Sequence, residues 1–198
     1  VQGHTLIRTG NWGGLSIDDP NSGSRVWGKT LGIVVLGGSG AAVARRARAF
    51  RMPVFYHRRS PKPEAEMECD AGYCATLDEL LEISDVVSLH CPLTEQTRNL
   101  IDATALSKMK PSAVLINTAR GAVVDEVALS DALIQGKIAG AGLDVFVSEP
   151  VVSEHLTSLD NVLLSPHVGT ATTETRDEMG LRVIENIKTF LSTGQPHD

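Results

Sequence analysis

Four side chains in the C-terminal half of this chain are of types that an apolar core does not require, and each stands beside a short apolar run. Arg120 follows Ile116-Asn117-Thr118-Ala119, Asp144 closes Ala141-Gly142-Leu143, Glu149 precedes Pro150, and His167 follows Ser165-Pro166. A guanidinium can bind a carboxylate bidentately and polarise the carbonyl next to it. An imidazole can exchange the proton on a substrate oxygen. A carboxylate beside that imidazole favours its protonated form and fixes its orientation. Each residue alone reads as readily as structural, a lone histidine after a strand being most often a hydrogen-bonded loop residue. Together they supply the parts needed for acid–base chemistry on a small 2-keto or 2-hydroxy acid.

A second constellation lies upstream. Val35-Leu36-Gly37-Gly38-Ser39-Gly40 is the dinucleotide-binding turn GxGxxG with its first glycine replaced by Val35. That turn needs a tight bend, a close approach of backbone to pyrophosphate, and close packing of helix on strand. Gly37 and Gly40 keep the second and third roles, while Val35 brings a β-branched residue to a bend that asks for positive φ. No acid stands at the end of the next strand to hold a ribose 2′-hydroxyl. Arg58-Arg59-Ser60 stands there instead, two cations and a hydroxyl where a 2′-phosphate would sit, which favours NADP(H) over NAD(H). The ordinary alternative is a pair of exposed loop arginines. Gly23 to Thr30 also satisfies GxxxxGK[ST] letter for letter, but it leaves a connector and enters a strand. A phosphate-binding loop of that kind leaves a strand and enters a helix, so the motif is set aside.

The elements that must position these groups follow from apolar runs alternating with helical patterns. Strands are expected at Thr30–Leu36, Pro53–His57, Asp85–His90, Ala113–Thr118, Gly140–Phe146 and Asn161–Ser165. Helices are expected at Ala41–Phe50, Leu77–Glu82, Glu126–Gln135 and Thr172–Leu191, with Thr76 and Glu79 as a capping box and Gly136 as a helix-terminating glycine. Right-handed crossovers make this a doubly wound, Rossmann-like α/β domain with one parallel sheet, whose ligands bind beyond the carboxyl ends of the strands. Residues 1–28 read as a connector with a helical turn at its start and Trp12 and Trp27 as isolated anchors; residues 29–198 form the domain.

The chain has 198 residues, of which 42% are hydrophobic and 21% charged, and its formal net charge is -6. That is too apolar for a disordered chain, and no run approaches the roughly 18 apolar residues of a membrane span. With 24 acids against 18 bases, a broad nucleic-acid footprint is not expected. Arg45, Arg46, Arg48 and Arg51 read as a solvated helix face. Cys69, Cys74 and Cys91 form no CxxC pair and no zinc-ligand spacing, so a disulfide framework and a metal site are not suggested and the expected compartment is the reducing cytoplasm. The absence of an initial Met leads to the expectation that the natural N-terminus is missing.

Several spaced motifs in order, Leu89-His-Cys-Pro-Leu-Thr94, Ile116 to Asp125, Ala139 to Phe146 with Ser148-Glu-Pro150, and Ser165-Pro-His-Val-Gly169, resemble the D-isomer-specific 2-hydroxyacid dehydrogenases. The resemblance covers nearly everything from Gly28 to Leu191. Thr170 to Arg176 and the Arg58-Arg59-Ser60 turn are most similar to the glyoxylate and hydroxypyruvate reductase branch. The resemblance implies that Arg120 binds the substrate carboxylate, His167 is the acid/base and Glu149 its partner. It implies cofactor contacts from Gly37, Gly38, Ser39, Gly40, Arg58, Arg59 and Ser60, with Cys91, Pro92 and Thr97 on the adenosine side. Thr118, Ala119 and Arg120 line the nicotinamide pocket in that reading, with Asp144 and the turn through His167, Gly169 and Thr170 at the nicotinamide end. It also implies a homodimer formed through this domain.

Two departures stand out. The family usually has glycine at Val35, arginine and isoleucine at Gly38 and Ser39, and glycine at Arg51, so the cofactor turn is altered while the acid–base residues are intact. Weaker cofactor binding than the family norm is expected. Residues 1–27 are too few for the substrate lobe of the family, which implies either a fragment or a chain lacking its lid, with feeble turnover. The rival from another class is a partner-binding module like the family's corepressors, which sense dinucleotide and keep the same three residues.

Overall fold

The computed structural model of the chain describes residues 2–14 and 23–197. After helix α1 (Gln2–Arg8) the elements run β1 (Leu31–Val34), α2 (Gly38–Ala47), β2 (Val54–His57), α3 (Pro63–Cys69), β3 (Ala71–Cys74), α4 (Leu77–Ile83) and β4 (Val86–Leu89). They continue as α5 (Ala103–Lys108), β5 (Val114–Asn117), α6 (Glu126–Ile134), β6 (Gly140–Leu143), α7 (Glu154–Thr157), β7 (Val162–Leu164) and α8 (Thr173–Thr193). All seven strands pair in parallel in the order β3-β2-β1-β4-β5-β6-β7. The chain therefore reverses its winding between β1 and β4, and the crevice beyond those two strand ends is where an open α/β sheet binds its ligand.

The strands are apolar runs because helices cover both faces of the sheet. Every residue of β1 is buried: Leu31 and Ile33 join Ala44 and Ala47 of α2 and Ala65 of α3, and Val34 joins Leu80 and Leu81 of α4 on the opposite side. Gly32 is required there, since a Cβ would lie 2.1 Å from Ser84 Oγ. Helix starts are fixed by local caps. Thr76 and Glu79 make the expected capping box, and Asp102 Oδ1 and Asp125 Oδ1 accept from the amides of Ala105 and Ala128.

The Rossmann-like fold is as expected, and the motif from Gly23 to Thr30 does lead from a loop into β1. The differences lie in short elements. Helices α3, α5 and α7 and strand β3 were not expected: the helices have seven, six and four residues, too few to show a period, and Ala-Gly-Tyr-Cys has no branched run. The strand over Gly140–Phe146 ends at Leu143, where the chain leaves the sheet while staying buried. The helical turn at the start of the connector is α1, whereas residues 15–22 of the connector lie outside the described residues. Trp12 is exposed rather than an anchor, and the ring of half-exposed Trp27 has the guanidinium carbons of Arg25 and Arg51 over it, 5.3 and 5.6 Å from its centroid.

Candidate active site

The first turn beyond the sheet follows β1. Val35 adopts φ 73°, the left-handed conformation that its missing glycine would take without strain, and its amide still donates to the His57 carbonyl at 2.9 Å. Gly37 precedes α2 in extended backbone, and a Cβ there would meet no protein atom within 4 Å. Gly40 differs, because a Cβ would lie 2.7 Å from the Val35 carbonyl oxygen. Gly37 thus leaves open surface at a helix N-terminus, and Gly40 lets that helix press on the turn. Arg51, the other expected strained position, has φ 52°.

At the end of β2, half-buried Arg58 and exposed Arg59 line a cavity of 260 Å³ with Val35, His57, Cys91, Pro92 and Thr97. Ser60 is exposed on the loop that follows. Thr97 is held by its hydroxyl, which donates to the Pro92 carbonyl at 2.6 Å and accepts from the Thr94 amide at 2.8 Å. Cys91 is buried, and that burial pushes its thiol up. A second cavity of 640 Å³ runs from Ser39 past His90, Cys91 and Pro92 to Thr118, Ala119 and Arg120. The glycine turn and Arg120 therefore face one continuous cleft.

Arg120 is exposed, with its Nη1 donating to the Ala119 carbonyl at 2.6 Å. The turn beneath it is fixed by Asn117, buried in β5, whose Oδ1 accepts from the Ala119 amide and whose Nδ2 donates to the Arg120 carbonyl, both at 3.0 Å. Gly121 follows with no room for a side chain: a Cβ would lie 2.0 Å from the Phe146 carbonyl carbon. The Arg120 turn and the Phe146–Val147 segment are thereby locked together.

Asp144 is buried after β6 and accepts from the amides of Val168 and Gly169, each at 3.0 Å. Burial acts to raise its carboxyl, but hydrogen bonds from the Ser165 hydroxyl and those two amides prevail and hold it below the usual range. Asp144 thus fixes the turn carrying His167, Gly169 and Thr170, and its own oxygens are engaged there. His167 has φ 53°, and its Nδ1 lies 2.8 Å from Glu149 Oε2. The other Glu149 oxygen accepts from the Phe146 amide at 2.9 Å. The His167 contact and the Phe146 amide keep the Glu149 carboxyl below the usual carboxylate range. With Nδ1 against the carboxylate, Nε2 is the nitrogen left for proton exchange.

Sequence reasoning placed these residues at strand ends and held His90 only as part of the Leu89-His-Cys-Pro-Leu-Thr94 motif; it missed Asn117 and Ser88, which orient the turns. His90 is hydrogen-bonded on both ring nitrogens, to Ser39 and Ser88. For Ser88 and Asn117 the signal available was a polar residue inside an otherwise apolar strand. Among the described residues no group of three or more His, Cys, Asp and Glu could hold a metal ion, and no helix is long and apolar enough to cross a membrane. The three cysteines are free and buried.

Residues 1–169 match the family described as D-isomer specific 2-hydroxyacid dehydrogenase, NAD binding domain. The chain is 47% identical over 193 residues to a glyoxylate reductase of Pyrococcus furiosus, covering 96% of this chain and 57% of that protein. It is 48% identical over 188 residues to glyoxylate/hydroxypyruvate reductase B of Pectobacterium carotovorum, covering 94% and 58%. Among solved structures, a glyoxylate reductase from Paecilomyes thermophila superposes with TM-score 0.89 at 45% identity, over 98% of this chain and 57% of that one. An NADPH-dependent glyoxylate/hydroxypyruvate reductase from Sinorhizobium meliloti, in complex with NADP and malonate, gives TM-score 0.89 at 40% identity, over 99% and 60%. The chain thus spans less than two thirds of the length of each of these relatives.

Proposed function

Since the chain belongs to the D-isomer specific 2-hydroxyacid dehydrogenases, we propose that it is the dinucleotide-binding part of an enzyme that reduces a small 2-keto acid with NADPH, glyoxylate or hydroxypyruvate being the substrate class. The observation that carries this reading is the His167–Glu149 pair at 2.8 Å, on the same edge of the sheet as the cleft between the glycine turn and Arg120. The open surface at Gly37 and the cations at the end of β2 fit a dinucleotide. Gly37 to Gly40 would receive its pyrophosphate, Arg58, Arg59 and Ser60 its 2′-phosphate, Cys91, Pro92 and Thr97 its adenosine side, and Thr118, Ala119, Asp144, Gly169 and Thr170 its nicotinamide end.

The dihydronicotinamide, when bound, supplies the hydride for the keto carbon. The chain's own residues do the rest. Arg120 binds the substrate carboxylate and polarises the adjacent carbonyl. His167 gives the proton on Nε2 to the keto oxygen, and Glu149 stabilises the imidazolium and fixes its plane. Oxidation of the 2-hydroxy acid returns that proton to Nε2. Arg58 and Arg59 favour NADPH over NADH.

We assign residues 29–198 to this domain and residues 1–28 to a connector toward a substrate lobe, and we place the protein in the cytoplasm, in keeping with its three free buried thiols. A homodimer through this domain accounts for α8, none of whose residues is buried and which exposes Leu181, Ile184, Ile187 and Phe190. The test is oxidation of NADPH by this chain with glyoxylate and hydroxypyruvate, compared with His167→Asn. Turnover that His167→Asn abolishes supports the reading; turnover unaffected by that change overturns it.

A further inference from the structure

The altered cofactor turn is tied to the sheet by a polar relay. Ser39 Oγ, at the second position of α2, lies 3.2 Å from His90 Nδ1, and Ser88 Oγ, buried in β4, lies 2.9 Å from His90 Nε2. A chain of three side chains thus runs from inside the sheet, through an imidazole just beyond the end of β4, to a hydroxyl facing the cleft. Burial lowers the pKa of His90, which favours the neutral ring. A neutral imidazole has one N–H and one bare nitrogen, so the relay has only two polarities.

In one, Ser39 donates to Nδ1 and Nε2 donates to Ser88, so that Ser39 turns only lone pairs toward the cleft. In the other, Ser88 donates to Nε2 and Nδ1 donates to Ser39, whose own O–H is then free to donate into the cleft. An anion beside Ser39 accepts a hydrogen bond only from the second. Resting on the cofactor reading above, we propose that Ser88 and His90 are positioning residues that set Ser39 as a hydrogen-bond donor to the dinucleotide pyrophosphate. Ser39 touches the phosphate; His90 and Ser88 act through it.

The experiment is a double-mutant cycle on the whole chain, titrated with NADPH, with thermal unfolding of each variant measured alongside. Loss of one hydrogen bond to a charged group weakens binding about tenfold. Ser39→Ala is expected to show that loss, His90→Phe to match it, and the double variant to lose no more than Ser39→Ala alone. His90→Asn, which keeps an N–H where Nδ1 stands, is expected to restore affinity to within about threefold. Ser88→Ala, a small change within β4, reports on the same relay should His90→Phe not fold, and is expected to weaken NADPH only while Ser39 is present. Nitrogen NMR of the His90 ring in the NADPH-bound chain is expected to show the proton on Nδ1. Additive losses, unchanged binding in both His90→Phe and Ser88→Ala, or a proton on Nε2 overturn the relay and leave the cofactor reading standing. A chain that binds neither NADPH nor NADH overturns both.

Discussion

His167 and Glu149, eighteen residues apart, meet through Nδ1 and Oε2 at 2.8 Å, while Oε1 of the same carboxylate is tied to the Phe146 amide. The carboxylate is thus held from two sides and can fix the plane of the imidazole. Glu149→Gln removes the charge that stabilises the imidazolium and keeps a side chain of the same shape. It is expected to lower kcat for glyoxylate reduction about 10–100-fold and to leave the Kd for NADPH unchanged. Parallel losses in kcat and NADPH affinity would show instead that Glu149 holds the fold of the site.

Asp144 gives the same region an acid limit. Its folded carboxyl lies below the ordinary 3.8, so the unfolded chain binds more protons there, and the stability it contributes is complete above 3.8 and is lost as pH falls through the lower folded value. Asp144→Asn keeps one acceptor oxygen for the two amides and is expected to cost about 1–3 kcal/mol at neutral pH. It should also flatten the fall of stability below pH 3.8, as read from denaturant unfolding at a series of pH values. An unchanged acid slope would mean that Asp144 is not the group responsible.

Two glycines separate ligand from fold. Gly121→Ala would place a Cβ 2.0 Å from Phe146 backbone and is expected to destabilise the chain by more than about 3 kcal/mol. Gly37→Ala meets no protein atom within 4 Å and is expected to leave the thermal midpoint alone while weakening NADPH at least about tenfold. Full affinity in folded Gly37→Ala would move the pyrophosphate away from this turn.

Val35 holds a left-handed backbone that costs a β-branched residue about 1–3 kcal/mol. Val35→Gly relieves that cost and gives up partial burial and chain entropy worth about 1 kcal/mol each. Stability is expected to stay within about 1 kcal/mol and NADPH to bind several-fold more tightly. A weaker affinity would show that the Val35 side chain supports the cavity it lines.

How much of this was legible in the sequence follows from burial. Strands β1, β4 and β5 are apolar because helices cover both their faces, and that composition marks them without any structure. Edge strand β3 was silent because Gly72 must admit the Phe55 ring, 2.7 Å from where a Cβ would be, and a branched residue cannot stand there. Val35 and Arg51 were legible as strained positions, since a glycine-requiring bend keeps its dihedral whatever residue fills it. Asn117 and Ser88 stood out only as polar residues inside apolar strands, and the link from His90 to Ser39, 51 residues away in sequence, exists only in the fold. Asp144 was placed correctly at a strand end, but only the fold shows both its oxygens turned to the amides after His167.

If the altered turn and the two arginines after β2 make an NADPH site, the chain must bind this dinucleotide in solution. The decisive experiment is isothermal titration of the 198-residue chain with NADPH and then NADH. Saturable binding of both is expected, tighter for NADPH, with the preference erased when Arg58 and Arg59 are both changed to Ala. Absence of binding by either dinucleotide, or a preference for NADH in the unaltered chain, would contradict it.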